Sequence, residues 1–142
     1  MKKLIVILTL IGMLNSCTTV EKREDFIIKF QNDLKEQNVE SISIYTIFPL
    51  KNGEYLVDDI VDQDAFIEKF DVFFDEKAKN EIISAKFKDF KSVNRPYEVG
   101  INCTDLFEFV VNYSNEGTES QVMYIFGVES GEIKFIGIDM AG

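Results

Sequence analysis

The chain has no histidine and only two cysteines among its 142 residues. Without histidine there is no Ser-His-Asp triad, no cysteine nucleophile leaning on an imidazole base and no His-bound zinc. It also lacks a glycine-rich phosphate loop. The one markedly apolar run, Leu4–Leu14, is 11 residues long. That is about half of the 20 residues that cross a hydrocarbon core, so the run is a poor permanent transmembrane helix.

Lys2 and Lys3 precede that run, in the order of a positive n-region and an apolar h-region that a secretion translocon reads. Residues 1–16 are therefore expected to be a signal peptide that is removed. The tetrapeptide Leu14-Asn15-Ser16-Cys17 resembles the bacterial lipobox, with an aliphatic residue at −3, a small one at −1 and then the cysteine whose sulfur receives diacylglycerol. The alternative is an ordinary signal peptide in which Cys17 is incidental. Under the lipobox reading Cys17 is a lipidation site, and several acyl chains at about 0.8 kcal/mol per buried CH₂ anchor the protein stably to a membrane. Residues 17–23 are then a lipidated tether and residues 24–142 a single domain. Thr18 follows the cysteine where an aspartate would retain a lipoprotein at the inner membrane of well-studied Gram-negative bacteria, so the resemblance implies the cell envelope and its outer membrane. Glu21, Glu24 and Asp25 loosely resemble surface-export signals, with Lys22 and Arg23 interrupting the match.

Lipidation of Cys17 leaves Cys103 unpaired. In YEVGINC, Tyr97, Val99, Ile101 and Cys103 alternate, which places Cys103 as a small core residue.

Without residues 1–16 the basic residues number 13, the total of 15 less Lys2 and Lys3, against 25 acidic ones, a formal charge of −12. Such a surface disfavours nucleic acid and anionic headgroups. It keeps a small protein soluble, or it complements a basic protein partner. Apolar residues make up 46% of the sequence, ample for one core.

Phe26, Ile27, Phe30 and Leu34 fall at helical spacing, with Lys29, Asp33, Lys35 and Glu36 on the outer side, predicting a helix of about four turns that ends near Asn38. Thr18-Thr19-Val20-Glu21 fits a capping box. Ile42, Ile44, Tyr45, Ile47 and Phe48 read as a strand, with Pro49 ending it or placing it at an edge. Lys51-Asn52-Gly53 is turn chemistry, with Tyr55-Leu56-Val57 as the partner strand. Asp64 is placed to cap a helix bearing Phe66, Ile67, Phe70, Phe73 and Phe74, and Asp75 starts another with Ala78, Ile82 and Ile83. From Tyr97 onward the period becomes two. LFEFVVNY, ESQVMYIFGVE and EIKFIGID are punctuated at Asn102 to Asp105, Asn115-Glu116-Gly117 and Ser130-Gly131, which predicts an antiparallel meander. One of its faces carries Phe107, Phe109 and Val111 opposite Val122, Tyr124 and Phe126; the pattern leaves open which face is inward.

The expected fold is thus α+β, N-terminal helices packed on a curved antiparallel sheet. This order resembles the NTF2-like (cystatin-like α+β) cone, and FPLKNGEYLVDDIVDQDAFIEKFDVFFDEKAKNEII over Phe48 to Ile83 is similar to a pattern of uncharacterised exported bacterial proteins, the resemblance covering roughly Phe48 to Val128 with the following strands. The resemblance implies a pocket at the open end of the cone, used for small-molecule chemistry in some members and for nothing catalytic in others. The histidine and the Asp/His or Tyr/Asp pairs of enzymatic members have no counterpart here, so no catalytic residue carries over.

Asp58, Asp59, Asp62 and Asp64 are the densest chemical feature, and hard cations such as Ca²⁺ take six to eight oxygens. The stretch lacks the glycine and glutamate register of an EF-hand, so a solvated loop with Asp62 or Asp64 capping a helix is the simpler reading. No cofactor is expected. The composition points to a non-enzymatic envelope lipoprotein that binds a basic protein partner or a small hydrophobic ligand, one version being an inhibitor or immunity protein. The alternative is a carboxylate-dependent enzyme using the cone pocket, which requires a buried Asp or Glu of raised pKa in the largest cavity.

Overall fold

The computed structural model describes residues 20–53, 58–94 and 103–142. The expected signal peptide, Cys17, the threonines of the expected capping box, the strand expected at Tyr55-Leu56-Val57 and the alternation at Tyr97, Val99 and Ile101 lie outside the described residues. No helix of the described residues is long and apolar enough to cross a membrane.

Helix α1 covers residues 20–35, so it takes in Val20 to Arg23, which the sequence assigns to the tether. It buries Ile27, Phe30 and Leu34 and ends at a reversal in which Gln37 has φ 57°. Four more elements follow: α2 (Val39–Ile44), β1 (Thr46–Lys51), α3 (Gln63–Phe73) and α4 (Glu76–Ser84). A 3₁₀ turn, Phe87–Asp89, then leads into β2 (Lys91–Ser92), β3 (Thr104–Asn115), β4 (Thr118–Glu129) and β5 (Glu132–Ala141).

The segment Val39–Ile44 is helical, not the start of the strand expected from its isoleucines. The Asn38 side chain accepts a hydrogen bond from the Ser41 N–H and caps the helix. Ile42 is buried beside Ser43 while Ile44 is 76% exposed, which suits one helical face. Local capping and tertiary packing here override β propensity.

The sheet order is β1-β5-β4-β3-β2. The β3–β4 and β4–β5 pairs are antiparallel as the meander predicts, β2 adds an antiparallel pair on β3, and β1 lies parallel to β5, so the curved sheet is mixed. Pro49 sits in β1 after a cis peptide bond, and β1 is an edge strand, the position that tolerates a residue with no N–H. Leu50 exchanges backbone hydrogen bonds with Ile60 at 2.7 and 3.2 Å, so Ile60 supports this edge.

The two hairpins turn through Glu116-Gly117 and Ser130-Gly131, between the pairs Asn115↔Thr118 and Glu129↔Glu132. All four residues have positive φ (46°, 85°, 51° and 80°), the geometry of type I′ turns that fixes register. In that register Phe107 faces Phe126, Phe109 faces Tyr124 and Val111 faces Val122. All six are buried against the helices, which settles the inward face.

Between helices and sheet the core is aromatic. Phe74 stacks on Tyr124 with centroids 4.9 Å apart, and Phe30, Phe66, Phe73, Phe126 and Phe135 fill the space around them. Each fully buried ring contributes about 2 kcal/mol. The Tyr124 hydroxyl donates to the Phe73 carbonyl, so its one polar atom is partnered within the core. Ile67 was expected on this apolar face and is instead 37% exposed. A smaller cluster, Met123, Ile125 and Ile136, lies apart from this core.

Candidate functional site

The most connected polar group is Asp33, expected on the outer side of α1 and in fact buried. Its Oδ2 accepts hydrogen bonds from Lys29 Nζ at 2.7 Å, Ser41 Oγ at 2.8 Å and the Tyr45 hydroxyl at 2.9 Å. Burial pulls the carboxyl pKa up, but these donors and the Lys29 charge outweigh it and hold it below the ordinary range. Tyr45 is pushed the other way, by burial first and then by the Asp33 charge and hydrogen bond. The cluster joins α1 to the segment after α2, and its acceptor is fully engaged. This is a structural clasp; it offers no reactive carboxylate.

The aspartate-rich stretch disperses. Asp62 is the cap of α3, accepting from the Ala65 N–H at 2.9 Å, and Asp64 sits exposed in the first turn. Asp59 pairs with Lys51 at 2.7 Å. Asp58 is exposed, and its backbone carbonyl takes the Asn52 side-chain amide at 2.6 Å. Among the described residues no three His, Cys, Asp or Glu side chains are grouped so as to hold a metal ion.

Cys103 is a half-buried free thiol packed against the Met123, Ile125 and Ile136 cluster. Burial, and then the nearby charge of Glu129, raise its pKa, so the unreactive thiol form is favoured.

Two surface cavities lie among the described residues. One, about 400 Å³, lies at the end of the sheet beside Asn112, Ser114, Glu119, Ser120, Gln121 and Gly142, and its single carboxylate, Glu119, is exposed. The other, about 420 Å³, is a groove between α4 and β3. Glu81, Ser84 and Ala85 come from the helix side, Asp89 and Lys91 from the chain below it, and Glu108, Phe109, Val110 and Asn112 from the strand.

The groove is held open from both ends of α4. At the N-terminal end Asp75 caps the helix through the Ala78 N–H at 2.8 Å and accepts from the Tyr113 hydroxyl at 3.0 Å, binding helix to strand. Lys77 lies over the Tyr113 ring and donates to the Asn112 carbonyl. At the C-terminal end Gln31 of α1 donates to the carbonyls of Ile82 and Ala85, each at 2.9 Å, satisfying acceptors that a helix end leaves open. Phe109, which lines the groove, has its ring 5.0 Å from that of buried Phe90.

Of the groove's carboxylates, Glu81 and Glu108 are half-buried and Asp89 is exposed. Neither cavity holds a fully buried carboxylate among the described residues. None of Glu81, Asp89, Lys91 or Glu108 stands out in the sequence, because no local spacing links them. They come together only once β2 pairs with β3 and α4 packs on that strand.

No protein-family model, no curated protein and no solved structure matches the chain.

Proposed function

We propose that this protein is a lipid-anchored binding protein of the cell envelope, tethered through Cys17 to the outer membrane, whose folded domain takes a basic protein partner. An inhibitor or immunity protein directed at a basic enzyme is one form of this function. The observation that carries it is the groove between α4 and β3, where Glu81, Asp89 and Glu108 from three segments gather on a pinned, open surface. The interior between helices and sheet is filled by aromatic rings, which favours a surface partner over a small hydrophobic ligand in a cone mouth. The anchor is supported by the order Lys2-Lys3, Leu4–Leu14 and Leu14-Asn15-Ser16-Cys17. The sequence of helices, a short strand, two helices and a curved meander supports kinship with NTF2-like domains.

Two measurements test this reading. Cys17→Ser should release the protein from the membrane fraction and abolish labelling by a fatty-acid analogue; retained labelling refutes the anchor. Passing envelope and secreted fractions over the immobilised chain should retain a basic protein in stoichiometric amount, released by modest salt. If nothing is retained, the acidity serves solubility alone.

A further inference from the structure

We infer that the groove between α4 and β3 receives an extended segment of the basic partner, which joins the sheet as a strand antiparallel to β3. The inference rests on the partner proposed above and adds how that partner is held.

The sheet edge is interrupted at this point. Strand β2 is two residues long and pairs with β3 only at Glu108 and Phe107, with a further backbone hydrogen bond from the Val93 N–H to the Leu106 carbonyl at 2.9 Å. Before Lys91 the chain leaves the edge through Phe90 and the 3₁₀ turn. Strand β3 runs on to Asn115, and beyond Phe109 no strand among the described residues lies along its outer side. The Asn112 carbonyl points outward, because Lys77 Nζ of α4 donates to it. Alternate residues of a strand direct their backbone groups to the same side, so Val110 presents its N–H and carbonyl to the groove.

The space beside this edge is about 420 Å³ and is kept by the Tyr113–Asp75 and Gln31 attachments of α4. A strand seats about 4.8 Å from its neighbour. In strand addition the main chain supplies affinity and pockets for alternate side chains supply specificity. Here one set of guest side chains faces Glu81 and Ser84 on the helix wall and the other lies over Val110 and Glu108. Three carboxylates line the groove against Lys91, while Lys86 and Lys88 of the adjoining turn are exposed outside it. A guest with Lys or Arg at one parity and an aliphatic residue at the other fits this lining. Lys77, 3.7 Å from Glu81, occupies the place of a guest donor at Asn112 and acts as a displaceable plug. It also blunts the edge against unspecific pairing, as lysines on edge strands do.

The test uses the full chain, ¹⁵N-labelled, and a capped hexapeptide alternating lysine and valine. Saturating peptide should slow amide hydrogen exchange at Val110 by about tenfold or more. The same peptide N-methylated at alternate residues, or with glutamate in place of lysine, should not. Lys77→Ala should tighten binding and Glu81→Gln weaken it, each about threefold, and both positions are solvent-facing enough to leave the fold intact. Unchanged Val110 exchange at saturation overturns the inference, as does equal protection by the N-methylated peptide. If Val110 stays unprotected while the immobilised chain still retains a basic protein, strand addition falls and the partner reading stands. If no basic protein is retained either, both fall.

Discussion

The Tyr45 hydroxyl donates to the Asp33 carboxylate at 2.9 Å, joining the last turn of α1 to the residue that ends α2. Since the folded state holds the Asp33 pKa below its ordinary value, ionised Asp33 stabilises the fold above the ordinary aspartate pKa of about 4, and that contribution is lost as pH falls through the lowered value. Asp33→Asn should cost about 1–3 kcal/mol at neutral pH. The gap between wild type and variant should narrow as the pH falls below about 4, read as melting temperature against pH. A constant gap would contradict the assignment.

Asp62, not Asp64, is the cap of α3. Asp62→Ala should therefore lower stability by about 1 kcal/mol, and Asp64→Ala by a few tenths through the first-turn dipole alone. Urea unfolding of the two variants side by side distinguishes them, and the reverse order would move the helix start by two residues.

The Tyr124 hydroxyl reaches the Phe73 carbonyl from the centre of the sheet. Tyr124→Phe keeps the ring stacked on Phe74 and removes only that bond, so a loss of about 1–2 kcal/mol is expected. For a domain of this size that is a fall of roughly 3–8 °C in calorimetric Tm.

Cys103 should react slowly. In a Cys17→Ser chain, where it is the remaining thiol, an aromatic disulfide reagent at pH 8 should modify it well below the rate of free cysteine, and denaturant should restore the full rate. Fast reaction in the folded protein would place the thiol outside its cluster.

What was legible in the sequence was what short-range chemistry dictates. The Phe66, Phe70 and Phe73 stripe, the Asp75 cap and the two positive-φ turns specify their own geometry, and the turns in turn set Phe107 opposite Phe126. The errors arose where distant residues decide. Asp33 reads as solvent-facing until Ser41 and Tyr45 fold over it, and Ile42 reads as a strand residue until Asn38 caps a helix beneath it. The groove is illegible for the same reason, since Glu81 and Glu108 share no period and come together only through the packing of α4 on β3.

The parallel pairing of β1 with β5 bears on the order in which the chain can mature. Strand β5 follows every other described element in sequence, yet it stands between β1 and β4. As the chain emerges, β1 is synthesised well before β5, its neighbour among the described strands, exists, and its docking waits for a contact spanning most of the described sequence. Until then the apolar side of Leu50 and Phe48 has no sheet to join, and a chain stopped short of Phe135 should stay protease-sensitive at its front end as well as its back.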